Sequence, residues 1–342
     1  MMREIITERL LLRKFSQDDF AAVHSYASVL ENIIYMVFEP NTPEQTTAFI
    51  KRAIATAAEE PCRDFQFAVV LKNSGGLIGG CQISISGDCG EVGWLLHRDF
   101  WRQGFGTEVG AALLAFGFDE LNLRRIVARC DAENVGSYGV MEKIGMRREG
   151  LLIEKRPPNK LSERKFSDEL IYAKLKDEHD VEKEIAYYNA QPCVFEEFID
   201  VPELVCGEIR LVCIGKKPAI SEKKYVPAYA FAVCKGSEKI GSVDLRIGYC
   251  GNLYYGGQIG YSIDEKHRGN GYAGIACRLL LPVARAHGMK TLLITNDVSN
   301  AASKRVCEKL GAKLVRVARV PEWNELYKTG QRYMNVFEWK ID

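Results

Sequence analysis

Polar and apolar residues alternate, or cluster in short apolar runs, over residues 5–13, 65–71, 77–85 and 91–97, and this period of two predicts strands. Between the first two of these, residues 18–30 carry the apolar spacing of an amphipathic helix. A second helix is marked by Thr42-Pro43-Glu44-Gln45: a hydroxyl cap, a proline at the first helical position and a glutamine three residues past the cap, continued by Phe49, Ala53, Ile54 and Ala57. The turn Asn73-Ser-Gly-Gly76 joins two of the strands into a hairpin. Past Gly104 the period changes to that of a helix at Val109, Ala112, Leu113 and Phe116. A strand at 125–130, a helix at 135–144, and strands at 147–153 and 167–175 follow, the last two separated by the loop 156–160.

The second half repeats the plan in shorter form. Strands are expected at 208–214 and 228–234, a hairpin about Lys235-Gly-Ser-Glu238, and a Tyr- and Gly-rich segment at 248–257 that reads as a ligand-side loop or a sheet-edge turn. Leu11 precedes Gly104 by 93 residues (104 − 11), whereas Leu211 precedes Gly271 by 60 (271 − 211), so the two early helices of the first half have no counterpart. Between the halves, Lys176-Asp-Glu-His-Asp-Val-Glu-Lys-Glu184 is charged enough for a linker or a short surface helix ending by Pro192. The expected domains are 1–176 and 201–342, joined by a charged linker at 177–200. Pro282 should kink the helix after the second glycine turn.

The most informative stretch runs Gln-Ile-Gly-Tyr-Ser-Ile-Asp-Glu-Lys-His-Arg-Gly-Asn-Gly-Tyr-Ala, residues 258–273. A strand empties into a glycine-punctuated turn that opens a helix. Glycines allow close backbone approach, the first helical N–H groups point outward, and Arg268 adds charge, which is the geometry that binds a phosphate. The pattern also occurs at residues 91–106. Gly93 and Gly104 recur as Gly260 and Gly271, each 167 residues on (260 − 93, 271 − 104). Downstream, Asn134-Val-Gly-Ser137 with Glu142-Lys-Ile-Gly145 is matched by Asn300-Ala-Ala-Ser303 with Glu308-Lys-Leu-Gly311.

This pair of motifs resembles the GNAT superfamily of acetyl-CoA-dependent N-acetyltransferases, whose pyrophosphate loop reads Arg or Gln, two residues, Gly, one residue, Gly or Ala. Arg268, Gly271 and Ala273 meet it in full. Gly104 and Gly106 meet it with Trp101 in the basic position, a departure that looks like the ribosomal-protein N-terminal acetyltransferase branch, as does Thr7-Glu-Arg-Leu-Leu-Leu-Arg13. The resemblance implies an α/β (α+β) chain of two tandem GNAT-like domains, each a twisted mixed β-sheet flanked by helices, with acetyl-CoA where the central parallel strands part. The early helix pair would cover the acceptor, so in the second domain the acceptor site is either open or covered by the first domain or the linker.

The site residues follow from the resemblance. Arg102, Gln103, Gly104, Phe105, Gly106 and Thr107, and in the second half Arg268, Gly269, Asn270, Gly271, Tyr272 and Ala273, should hold the pyrophosphate. Leu95, Leu96 and Ile263 lie at the strand ends, where a bulge should free a backbone N–H for the thioester oxygen. Glu91 stands where part of the superfamily carries its catalytic base, or is a solvated strand end. Its counterpart is Gln258, which cannot take a proton, leaving water, another carboxylate such as Glu265, or no base at all. Met141 and Cys307 occupy the usual position of an acidic tyrosine. Ser137 and Ser303 are therefore the catalytic candidates for the leaving sulfur, with Tyr138 as an alternative; each serine could equally be a helix-start residue. Asn134 and Asn300 divide between cofactor contact and capping.

Composition narrows the rest. With 46 basic and 45 acidic residues, no net charge draws the 342-residue chain to nucleic acid or to a membrane surface. No apolar run is long enough to span a bilayer and the start is charged, which predicts a cytoplasmic protein. Eleven dispersed cysteines and five histidines suggest neither a disulfide framework nor a metal site. The expected activity is acetyl transfer to a primary amine of a small molecule or a peptide N-terminus, with the two domains packed as a pseudo-dimer in one chain. Alternatively one domain, the second above all, binds acetyl-CoA without turnover as a structural or regulatory module.

Overall fold

The alternating segments of the first half form one twisted sheet. Its strands are Ile5–Ile6 (β1), Leu10–Arg13 (β2), Asp64–Leu71 (β3), Leu77–Ser86 (β4), Cys89–Leu96 (β5), Arg125–Asp131 (β6), Arg147–Arg156 (β7) and Ser167–Leu175 (β8), in the order β1-β2-β3-β4-β5-β6-β8-β7. The computed structural model describes residues 3–157 and 166–341, so residues 158–160 of the expected loop 156–160 lie outside it. The described chain divides into two compact units, Met1–Asp180 and Val181–Asp342. Every pairing in the first sheet is antiparallel except β5 with β6, which run parallel from Cys89↔Arg125 to Val92↔Ala128. Beyond that pair the two strands part.

Among the described residues five α-helices flank this sheet: Phe20–Ala27 (α1), Leu30–Ile33 (α2), Pro43–Thr56 (α3), Phe105–Ala115 (α4) and Val135–Lys143 (α5). The cap foreseen for α3 forms as a reciprocal box, the Thr42 N–H donating to Gln45 Oε1 at 2.8 Å and the Gln45 N–H to Thr42 Oγ1 at 3.3 Å. Because side chains alternate along a strand, β5 serves two layers. Val92 and Leu96 pack with Val109, Leu113 and Met141 on the α4–α5 side. Leu95 packs on the opposite side with Val23, Tyr26, Ile50 and Ala53 of α1 and α3.

The second unit contains the strands Leu204–Cys206 (β9), Ile209–Lys217 (β10), Ala228–Lys235 (β11), Glu238–Arg246 (β12), Ile259–Ile263 (β13), Thr291–Asp297 (β14), Lys313–Arg319 (β15) and Tyr333–Lys340 (β16). They form a five-stranded sheet, β13-β12-β11-β10-β9, and a three-stranded one, β14-β16-β15. The helices are Lys176–Asn189 (α6), which begins in the first unit, then Gly251–Gly256 (α7), Tyr272–Leu279 (α8), Leu281–Ala286 (α9), Ala301–Leu310 (α10) and Glu325–Lys328 (α11). Between β10 and β11 lie a helical turn at Ser221–Lys223 and a single bridge of Ile220 with Tyr225.

Several expectations are corrected here. The charged segment is helical, as its second reading had it, but it is packed and not simply a surface linker: Val181, Ile185 and Tyr188 share one face of α6 and join Tyr254, Tyr255, Leu293 and Val336 in a core of the second unit. Its charges occupy the other positions, which is why composition alone read as solvated. Cys193, Phe195, Phe198 and Ile199 likewise pack onto that unit's main core. The Tyr-rich segment 248–257 is neither a ligand loop nor a plain turn, since its centre is α7 with Leu253, Tyr254 and Tyr255 buried. Pro282 ends one helix and starts another: α8 stops at Leu279 and α9 begins at Leu281, where a missing N–H costs nothing. No helix among the described residues is long and apolar enough to cross a membrane.

Candidate functional site

The two glycine turns follow the same backbone path. In the first unit Arg102 (φ 59°) and Gly104 (φ 83°) adopt the left-handed conformation; in the second, Gly269 (φ 84°) and Gly271 (φ 77°) do so at the equivalent positions. Gly104 and Gly271 are the caps from which α4 and α8 start. Successive amides in such a path point into a common concavity, and those at a helix start have no intrahelical acceptor. The N–H of Arg268 donates to the Glu265 carbonyl at 3.2 Å, so the set equivalent to residues 102–107 is 269–274 rather than 268–273.

Trp101 and Arg268 are equivalent, and their departure from one another has a structural explanation. Trp101 Nε1–H donates to the Leu96 carbonyl at 2.8 Å, and Arg268 Nε–H donates to the Ile263 carbonyl at 3.0 Å. Either side chain ties the turn to the end of its strand. Only the arginine also brings charge.

Each helix start is clasped from the turn between the first two strands of its unit. Arg9 donates to Glu108 Oε2 at 2.7 Å and to the Gln103 carbonyl at 3.0 Å, and its guanidinium lies 4.2 Å over the Phe105 ring. Thr7 Oγ1 meets Glu108 Oε1 at 2.5 Å. This clasp breaks the expected strand 5–13 into β1 and β2. Burial opposes the charge on Glu108, but the bonds from Thr7 and Arg9 outweigh it and hold its carboxyl below the ordinary range. In the second unit Tyr272 Oη donates to Glu208 at 2.7 Å, and Lys235 Nζ lies 3.1 Å from Tyr272 Oη and 3.2 Å from Glu208.

The expected bulge is absent at both strand ends. Pairing runs without a register shift from Gly79↔Leu96 to Ser86↔Cys89, and from Gly241↔Ile263 to Leu245↔Ile259. His97 N–H donates to the Ile78 carbonyl and Asp264 N–H to that of Ile240. Because bonded and non-bonded pairs alternate, Leu95 turns its backbone to β4, while Leu96 and Ile263 turn theirs toward the opening between the parted strands. A free N–H therefore arises from the parting, without an inserted residue.

Glu91 stands at the start of β5 on the face shared with Leu95, half-exposed, with Arg129 Nε 3.4 Å from its carboxylate. Arg129 also lies 3.6 Å from Glu169. Beside it, Gln66 donates to Gln82 at 2.8 Å and to Asp64 at 3.0 Å, and Ser84 donates to Asp64 at 2.9 Å, so the sheet face under α1 and α3 carries a polar strip. Gln258 is wholly buried and belongs to no such strip. Its N–H donates to the Leu293 carbonyl at 2.7 Å, its Oε1 accepts the Leu293 N–H at 2.6 Å, and its Nε2 donates to Gly248.

Asn134 and Asn300 cap α5 and α10, each Oδ1 accepting the N–H of the serine three residues on at 3.0 Å. The Ser137 hydroxyl lies against the Cys130 thiol, which burial pushes up to about 11 in spite of that contact. Ser303 Oγ lies 2.8 Å from Tyr261 Oη, a hydroxyl pair on β13 and α10. Tyr261 was not singled out by sequence; its counterpart at the same strand position is Trp94. Neither the Arg9 clasp nor Asp244, on the strand beside Gly260, was singled out either. Among the described residues no group of three or more His, Cys, Asp or Glu is placed to hold a metal.

A family model described as acetyltransferase (GNAT) domain matches residues 9–147 and again 178–313. An uncharacterized N-acetyltransferase of Bacillus subtilis, YnaD, is 35% identical over 176 residues, spanning 51% of this chain and 98% of that protein. Another, p20 of Bacillus licheniformis, is 31% identical over 154 residues, 44% of this chain and 86% of its own. The crystal structure of a GNAT-family acetyltransferase from Bacillus anthracis is 34% identical with a TM-score of 0.45, covering 51% of this chain and 99% of that one.

Proposed function

The chain belongs to the GNAT acetyltransferase family, and on that premise we propose that it is a cytoplasmic N-acetyltransferase whose two units each bind acetyl-CoA. The first unit passes the acetyl group to a primary amine of a small molecule or a peptide N-terminus. The observation that carries this reading is the repeated amide-lined turn, at 102–107 and 269–274, just past the point where two central strands separate. Acetyl-CoA, when bound, supplies the activated thioester.

The chain's own groups do the rest. The turn amides meet the diphosphate with directed donors at a helix start. The backbone N–H groups of Leu96 and Ile263 face the carbonyl and favour charge developing on its oxygen. Glu91, on the face covered by α1 and α3, accepts the amine proton, and the hydroxyls of Ser137 and Ser303 donate to the departing sulfur.

One observation favours a second reading for the second unit. Gln258, at the position of Glu91, is an amide already engaged on all sides, which supports a unit that binds acetyl-CoA without turnover unless a base comes from another residue.

Calorimetric titration of the full chain with acetyl-CoA tests the proposal. We expect two sites, one removed by Gly104→Trp and the other by Gly271→Trp. An absence of binding sinks the reading. Release of CoA in the presence of amine acceptors, measured with Glu91→Gln in the Gly271→Trp background, then tests the base of the first unit.

A further inference from the structure

The carboxylate and the amide of the first unit have exchanged strands in the second. On β5 and β4 the first unit places Glu91 and Gln82, the latter opposite Gly93. The equivalent positions of the second unit are Gln258, just before β13, and Asp244 on β12, opposite Gly260. Gln258 is consumed in joining the strands, whereas Asp244 puts a carboxylate on this sheet face that can take a proton.

The geometry around Asp244 suits that task. Oδ2 is held by Arg246 Nη2 at 2.9 Å, while Arg246 Nη1 is fixed on the carbonyls of Gly256 and Gly257 at 2.7 and 2.8 Å. Oδ1 leans across to β13, so close to Gly260 that a Cβ there would meet it at 2.7 Å. A larger residue at 260 would make the carboxylate shift, and with glycine there the oxygen lies over the strand two residues past the Gln258–Leu293 contact. The side chain remains 34% exposed, so solvent can reach it. The helix pair that covers this face in the first unit is missing from the second. On the other side of β13 stands the Tyr261–Ser303 hydroxyl pair.

We propose that Asp244 is the general base of a second acetyl-transfer centre, with Arg246 positioning it; this rests on the acetyltransferase reading above. The amine nitrogen forms a bond to the acetyl carbon, the C–S bond breaks, and one amine proton passes to Asp244 Oδ1 and then to solvent. The thiolate departs hydrogen-bonded by Ser303 and takes its proton from water. The charged groups facing Asp244 are Arg246 from its own strand and Lys217 from β10; β11 and β13 contribute Ala230 and Gly260. Burial raises the Asp244 carboxyl above its ordinary value, more than Arg246 and Lys217 lower it, which moves it toward the range useful in a base.

The test uses the full chain carrying Gly104→Trp, so that only the second turn can bind, with acetyl-CoA as donor and spermidine or a hexapeptide beginning Ser-Ala as acceptor. We expect transfer to at least one acceptor, and Asp244→Asn should lower kcat 100-fold or more with the Kd for acetyl-CoA unchanged. The acid limb of the kcat profile should vanish with it, and Asp244→Glu should restore part of the rate. Arg246→Gln, a positioning change, should shift that limb without abolishing turnover. Undiminished turnover in Asp244→Asn overturns the proposal, as does acetyl-CoA binding at the second turn with no transfer to either acceptor. Failure of acetyl-CoA to bind the Gly104→Trp chain at all would instead count against the acetyltransferase reading itself.

Discussion

Gln258 holds Leu293 twice, through its backbone N–H to the Leu293 carbonyl and through its side-chain Oε1 from the Leu293 N–H. A side chain thus serves as a rung between two strands that form no regular ladder. The first unit needs no such rung, because β5 and β6 pair through four residues from each strand, Cys89–Val92 with Arg125–Ala128.

Replacing Gln258 with Glu should therefore be costly. The carboxylate would be buried and would face the Gly248 carbonyl that now accepts from Nε2, for a loss of about 2–3 kcal/mol. Urea unfolding should show a lower midpoint, and exchange of the Leu293 amide should accelerate more than that of amides in the first unit. Unchanged exchange at Leu293 would contradict the rung.

Trp101→Arg should tighten acetyl-CoA binding by the first unit about two- to tenfold, an electrostatic gain of roughly 0.4–1.4 kcal/mol. The new side chain can keep the bond to the Leu96 carbonyl, as Arg268 does with Ile263, and adds a charge beside the turn. Titration in the Gly271→Trp background measures the change; weaker binding would mean that the indole itself contributes more than its N–H.

Arg102 occupies a backbone conformation that its equivalent fills with Gly269. A side chain there costs about 1 kcal/mol. Arg102→Gly should leave the unfolding midpoint of the first unit equal or higher, and Gly269→Ala should lower that of the second by roughly the same 1 kcal/mol. Denaturant melts of both variants check the opposite signs.

Glu108 has its carboxyl held below the ordinary range in the folded unit, so it binds protons less readily folded than unfolded. Its contribution is present above the unfolded value and is lost as pH falls through the folded one. Glu108→Gln should destabilise the first unit by about 1–2 kcal/mol at neutral pH, and the difference from the parent should close as the pH is taken down below the ordinary carboxylate range. A pH-independent difference would assign the effect to packing.

Much of this was legible in the residues because the signals were local. The α3 capping box, the hairpins and both glycine turns depend on neighbours within a few positions, and the repeat made each turn evidence for the other. What escaped depends on partners distant in sequence. An amide at 258 reads as a lost base until Leu293 is beside it, and Asp244 has no meaning in its own strand until Gly260 is opposite it. The centre of 248–257 reads as a loop by its glycines, but Leu253, Tyr254 and Tyr255 find an apolar cover and turn helical. The strand ends departed from expectation in a simpler way: separation of two strands frees the same N–H that a bulge would.

The clasp between Arg9 and Glu108 joins groups 99 residues apart, whereas that between Glu208 and Tyr272 spans 64. Closing the longer loop adds only about 0.4 kcal/mol of entropy, so the difference matters little at equilibrium. It matters in time. At a synthesis rate of roughly 5–20 residues per second, about 5 to 20 s separate the appearance of Arg9 from that of its partner. Through that interval Arg9 has no helix to grip, and the glycine turn of the first unit cannot be held by it until a nascent chain has cleared residue 108.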